Sequence, residues 1–232
     1  MTAHQPAYLP WLGLLHKAAL ADTFVLVDTV QFEKESFVNR NKLRSPEGWR
    51  WLTVPVLSVG HTSSTLRDMR IAPRSWARKH WTAFRMFYGR TPFFAQHAPF
   101  LEEVYSRPWV LLVDLCEHVL RYLLAAFGID AKLVRASDLS PTGAKSDLVL
   151  DLCRKTGAHT FVFGAFGRDY AEVESFRAAG VEVVFQDYRH PTYPQAYPGF
   201  EGGMNAFDLL MNVGPRSREV LMSGNLTRRD LE

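Results

Sequence analysis

His4, Asp28 and His80 are the side chains of this sequence best suited to moving a proton. An imidazole exchanges its proton near neutral pH, which makes His4 the leading candidate for a general base. Asp28 closes the apolar run Thr23-Phe24-Val25-Leu26-Val27-Asp28, and a carboxylate at a strand end can orient a histidine or hold a substrate amine. His80, directly after Lys79, is a second acid/base candidate, although a core histidine on an aromatic helix face would look the same. In Asn39-Arg40-Asn41-Lys42 the arginine fork and the lysine point charge suit a carboxylate or a phosphate. The turn Gly164-Ala165-Phe166-Gly167-Arg168-Asp169-Tyr170 has glycines that let backbone N–H groups approach a ligand, ahead of a helix start that favours an anion. Its spacing matches neither the dinucleotide fingerprint nor a P-loop, so a bare turn capped by Asp169 is the competing explanation.

The elements that must position these groups follow from periodicity. In His4-Gln5-Pro6-Ala7-Tyr8-Leu9-Pro10-Trp11, two prolines fix φ and present Gln5 and Tyr8 in few conformations. A helix is expected over 13–21 and a buried strand over 23–28, with Gln31 just beyond. Residues 33–48 are polar and read as an irregular loop carrying Asn39 to Lys42, a reasonable place for ligand contacts, before an apolar strand over 51–57.

The stretch 73–127 reads as helical. Ser75 can cap a helix to Tyr88 in which Trp76, His80, Phe84 and Tyr88 share one face. Gly89, Pro92 and Pro99 then punctuate the chain before an apolar helix over 111–126. Beyond it, strands over 131–135, 160–163 and 181–185 alternate with helices over 146–156 and 169–179, the order of a parallel sheet flanked by helices. Gln195 lies in the extended Tyr193-Pro194-Gln195-Ala196-Tyr197, and Asp208 sits in a short helix over 205–212 whose apolar neighbours oblige a buried carboxylate to find a partner. The expected architecture is α/β, a mostly parallel Rossmann-like sheet with a helical insertion, in one domain over 1–232. Its parts are an N-terminal α/β part (1–72), the insertion (73–128) and a C-terminal α/β part (129–232).

Composition narrows the function classes. With 47% hydrophobic residues in 232, the chain can build a sizeable core, and a formal charge of +3 with dispersed basic residues gives no nucleic-acid surface. No apolar run is long enough for a membrane span and no secretory signal opens the chain, so a cytoplasmic protein is expected. Cys116 and Cys153 read as buried thiols. The histidines at 4, 16, 61, 80, 97, 118, 159 and 190 form no metal-ligand spacing, and no Gly-x-Ser-x-Gly elbow supports a serine nucleophile at Ser137 or Ser140. No metal or other cofactor is called for.

The opening His-Gln-Pro segment, Asp28-Thr29-Val30-Gln31-Phe32, Asn39 to Lys42, Trp51-Leu52-Thr53-Val54-Pro55, Lys79-His80, the Gly164 to Tyr170 turn and Asp208-Leu209-Leu210-Met211-Asn212 occur in order along nearly the whole chain. Together they resemble the WbqC-like protein family. Family members carry a few more apolar residues ahead of the His-Gln-Pro segment than Met1-Thr2-Ala3 supply, and tend to have a serine where this chain has Asn205. The resemblance implies a role in surface-polysaccharide or natural-product biosynthesis. It favours acyl or aminoacyl transfer from an activated, carrier-linked or tRNA-linked donor to an amine, acting on a small-molecule substrate with His4 as base. Two alternatives stay open. The first loop, Gly13-x-x-His16 and Asp28 are loosely similar to nucleotidyltransferases that bind nucleotide, and a non-catalytic binding protein of a biosynthetic cluster would also fit. Nothing in the sequence sets the oligomeric state.

Overall fold

The computed structural model describes residues 1–57, 64–73 and 75–231. Five strands form one parallel sheet: β1 (Thr2–His4), β2 (Thr23–Leu26), β5 (Lys132–Arg135), β6 (Thr160–Phe163) and β7 (Glu182–Phe185), in the order β5-β2-β1-β6-β7. It is the Rossmann-like α/β architecture that the alternation predicts. The chain starts at the centre of the sheet, runs outward through β2 and β5, and returns to place β6 on the other side of β1. Strand order therefore reverses between β1 and β6, which opens a crevice at their C-terminal ends.

β1 is only three residues long, yet it pairs with both neighbours, in register Thr2 to Phe24 and Thr2 to Val162. The terminal amine extends its hold on β6 by donating to the Thr160 carbonyl at 2.8 Å. Both faces of the sheet are buried, and alternation sorts the side chains between them. Phe24 and Leu26 join one apolar cluster, while Val25 and Val27 join the other. The larger cluster packs against α1 (Leu12–Ala19), α2 (Trp76–Tyr88), α3 (Phe94–Ser106), α4 (Leu112–Ala126), α8 (Ala206–Val213) and α9 (Ser217–Met222). On the opposite face are α6 (Lys145–Thr156), which ends at Gly157 in the left-handed conformation, and the short α7 (Val173–Ala178).

Three expectations need correction. The polar segment before Trp51 is half strand: β3 (Arg40–Ser45) pairs antiparallel with β4 (Gly48–Thr53). Its polarity concealed a period of two, in which Asn41, Leu43 and Ser45 are buried. α3 forms in spite of Pro99, because the missing N–H costs one bond while Leu101, Val104 and Tyr105 are buried beyond it. The helix expected from Asp169 does not start there. A 3-10 turn over Ala165–Asp169 comes first, and α7 begins at Val173. The Gly164 to Tyr170 turn is thus no helix N-terminus, and the dipole argument for an anion at that point falls away.

Candidate functional site

The crevice at the β1/β6 reversal is a cleft of about 590 Å³. Ala3, His4 and Gln5 from the end of β1 form one side, with Val27, Val30, Gln31 and Glu33 from the chain after β2. Phe161, Phe163, Gly164, Phe166, Gly167 and Tyr170 from β6 and its turn lie across, and Lys17 of α1 and Lys145, Leu148 and Val149 of α6 complete the wall.

His4 enters the cleft wall because β1 ends there. Its Nδ1 lies 2.8 Å from the Gln5 carbonyl, so that nitrogen carries the proton and donates, leaving Nε2 with the lone pair. Burial, and secondarily the charge of Lys17, push its pKa down to about 3. The residue is half-buried and lines the cleft. His4 is therefore neutral at physiological pH and a weak base, chiefly because it is buried and further because Lys17 is charged beside it.

Lys17 is the main feature that the sequence reading missed. The residue is 5% exposed, its Nζ donates to the Ala3 carbonyl at 2.9 Å, and burial lowers its pKa to about 8. No ion pair among the described residues neutralises it. The available signal was a lysine inside Leu14-Leu15-His16-Lys17-Ala18-Ala19, a helix apolar on nearly every side. Lys145, also missed, opens α6 at the cleft edge in a left-handed conformation, φ 49°, that a side chain rarely adopts.

Of the residues singled out from sequence, His4, Gln5, Gln31, Gly164, Gly167 and Tyr170 line this cleft. Asp28 does not. It is fully buried, and its carboxylate accepts from the backbone N–H of Ser137 at 2.9 Å and from the Ser137 hydroxyl at 2.7 Å, fixing the start of α5 (Ala136–Leu139). His80 and Tyr8 lie in the core, where the Tyr8 hydroxyl is 2.7 Å from both His80 Nδ1 and the Tyr105 hydroxyl. Burial pushes the His80 pKa down to about 4. Lys79 points to solvent on the same helix.

Asn39 donates to the Val54 carbonyl at 2.9 Å and Asn41 to that of Leu9, so both amides brace the hairpin. Arg40 and Lys42 rest over Trp51 and Trp49, and Arg168 over Phe185. Tyr88, Gln195 and Asp208 form a separate buried network. Asp208 accepts from the Tyr88 hydroxyl at 2.7 Å, the Tyr193 hydroxyl at 2.8 Å and the Gln195 amide at 2.8 Å. Burial raises its pKa, and these three donors oppose the rise. Asn205 caps α8 by accepting from the Phe207 N–H.

Among the described residues no three His, Cys, Asp or Glu side chains stand close enough together to hold a metal ion. His61 lies outside the described residues. No helix among them is long and apolar enough to cross a membrane.

A family model for the WbqC-like protein family matches residues 5–220. A Mycobacterium tuberculosis (strain ATCC 25618 / H37Rv) protein named "Uncharacterized protein Rv1507c" is 30% identical over 219 residues, covering 94% of this chain and 95% of its own. No solved structure matches the chain. The match runs from the cleft residue Gln5, through the hairpin and the helical insertion, to α9, and the chain belongs to the WbqC-like protein family.

Proposed function

We propose that this protein is a biosynthetic group-transfer enzyme that moves an acyl or aminoacyl group from an activated donor to an amine in the cleft between β1 and β6. The observation that carries this reading is Lys17, a buried cation on the cleft wall without a carboxylate partner among the described residues. A buried charge is costly unless it is paired. A ligand carboxylate or phosphate supplies the pair, and the ligand's apolar part rests on Phe161, Phe163 and Phe166.

In the transfer, the amine nitrogen attacks the donor carbonyl carbon and its proton passes to His4 Nε2. Collapse of the adduct breaks the bond to the leaving group, which takes the proton back from His4. An anion on Lys17 cancels one of the two causes that depress the His4 pKa, so the imidazole gains basicity when a ligand is in place. Gln5 and Gln31 offer neutral hydrogen bonds in the same wall. On this reading the transfer serves surface-polysaccharide or natural-product biosynthesis, with a donor linked to coenzyme A, a carrier protein or tRNA.

The test is mass spectrometry of reactions containing each donor class across a broad panel of amines. A product is expected with the native chain, falling by about 100-fold or more in folded His4→Gln, in line with loss of a general base. No product from any donor overturns the reading.

A further inference from the structure

The β3–β4 hairpin carries a second surface, outside the cleft. Lys42 pairs with Trp51 and Arg44 with Trp49, and alternation sends these side chains, together with Arg40, to one face. Leu43 and Leu52 on the other face are in the core. Arg44 is covered, donating to the carbonyls of Pro198 and Gly199. Trp49 and Trp51 are exposed, 41% and 38%, while Arg40 and Lys42 are half-buried beside them. Lys42 Nζ lies 4.4 Å from the Trp49 ring centre and 5.8 Å from that of Trp51, and the Arg40 guanidinium lies 4.4 Å above Trp51.

The rings continue inward as a line of contacts. Trp51 meets the exposed Phe37 at 5.8 Å, Phe37 meets Trp11 at 5.3 Å, and Trp11 meets His4 at 5.3 Å. An aromatic track thus connects the outer hairpin to the cleft histidine. Contiguous exposed aromatic surface marks an interaction site. Ring faces beside cations are the chemistry that binds a base and its phosphates. Lys42 takes part in no ion pair among the described residues, so it is open to a phosphate. An acidic side chain borders the face at one edge, where Glu35 is 4.0 Å from Arg40. A long polyanion running past Arg40 would meet that charge, whereas a single nucleotide need not.

We propose that Trp49, Trp51, Lys42 and Arg40 form a platform for the nucleoside diphosphate end of a small-molecule ligand, whose far end follows Phe37 and Trp11 to His4. The direction of the track rests on the cleft being the reaction site, whereas binding at the platform does not.

Calorimetric titration with ADP and UDP tests it, on the native chain and on Lys42→Gln, Trp49→Ala/Trp51→Ala and Lys17→Met. Binding is expected for the native chain and, unchanged, for Lys17→Met. The double tryptophan variant should bind roughly tenfold or more weakly, as loss of a base–aromatic stack does. Lys42→Gln, a change at a half-buried residue whose side chain makes no ion pair among the described residues, should weaken binding several-fold and reduce its salt dependence. Absence of binding by both nucleotides at millimolar concentration overturns the proposal, as does native-like affinity in Lys42→Gln and the double variant. Loss of binding in Lys17→Met would put the nucleotide in the cleft, and tighter binding of a single-stranded RNA heptamer would make the platform a strand-binding surface; either result overturns the proposal while leaving the transfer reading standing.

Discussion

The Lys17 ammonium faces Gly164 so closely that a β-carbon at position 164 would stand 3.8 Å from Nζ. Glycine leaves the cation open to the cleft, but at ordinary contact distance the fold does not require it. Gly167, three residues on in the same turn, differs: a β-carbon there would come within 2.6 Å of the Phe163 β-carbon. Gly164→Ala should therefore fold with native stability, while Gly167→Ala should lose about 1–3 kcal/mol to overpacking. Thermal melts of the two variants check this, and equal losses would mean that the turn is not packed as described. Gly164→Leu, by filling the approach to Lys17, should abolish ligand binding without unfolding the chain.

Lys17 also makes stability depend on pH. Its folded pKa of about 8 lies below the ordinary 10.5, so between those values the unfolded chain holds a proton that the folded chain has released. Stability therefore rises with pH across that window, and the cost of the buried charge is fully present below pH 8. Lys17→Met removes a cost of about 3 kcal/mol, at 1.36 kcal/mol per pKa unit. At pH 7 the variant should unfold at higher denaturant concentration than the native chain, with the gap closing toward pH 10.5. A variant less stable than native at pH 7 would mean that Lys17 is paired or solvated.

For His4 the order of causes makes a prediction. Burial is the larger reason for its pKa of about 3 and the Lys17 charge the smaller, so Lys17→Met should raise that pKa but leave it below the ordinary 6.5. Imidazole resonances followed by NMR through acid report both values. Because the folded pKa is depressed, the unfolded chain takes up the proton first as pH falls below 6.5, and stability should drop from there toward pH 3. His80, depressed to about 4, acts in the same direction. The His4→Gln variant should show a shallower decline from pH 6.5 to 4, where His80 still contributes, and lose the His4 share entirely between pH 4 and 3.

Asp28 is predicted to act on stability. Removing its carboxylate in Asp28→Ala leaves the Ser137 N–H and hydroxyl without their acceptor, a loss of about 1–3 kcal/mol. Asp28→Asn keeps one acceptor oxygen and should lose less. Transfer activity per folded molecule should be retained in Asp28→Asn. A stable but inactive Asp28→Asn would assign the carboxylate a direct part in the chemistry.

How much of this was legible depended on the kind of signal each residue gave. The apolar runs at Phe24, Phe161 and Val183 state their strands openly, and their alternation with helices implies the parallel sheet and its loop edge. His4 and Gly164 could be assigned to that edge from sequence, and they do line one cleft. Strand order could not be read, and it decides which loop ends meet: the reversal between β1 and β6 admits His4 and excludes Asp28. Asn39 and Asn41 looked like loop polarity because their partners, the carbonyls of Val54 and Leu9, are distant in sequence. Lys17 was hidden for the opposite reason, since a lone lysine in a helix ordinarily snorkels to water.

Asp208 supplies the sharpest test of the second buried network. Its two oxygens accept three hydrogen bonds, from Tyr88, Tyr193 and Gln195, and Tyr88 in turn accepts from the Arg44 N–H of the hairpin at 3.1 Å. One carboxylate thus ties α2, α8, the extended segment around Gln195 and β3 together. Asp208→Ala strands three buried neutral donors and should cost about 3 kcal/mol or more, at about 1–3 kcal/mol for each unsatisfied group. Asp208→Asn should cost less, because the tyrosine hydroxyls can rotate to accept from the new amide. The pH dependence separates charge from shape. Burial raises the Asp208 pKa above the ordinary 3.8, so the folded chain holds this proton more tightly than the unfolded one, and its contribution weakens as pH rises through the shifted value. The stability penalty of Asp208→Asn relative to the native chain should therefore be smaller at pH 7 than at pH 3, measured by denaturant unfolding. A penalty that grows with pH would show that the ionised carboxylate is the form the network stabilises.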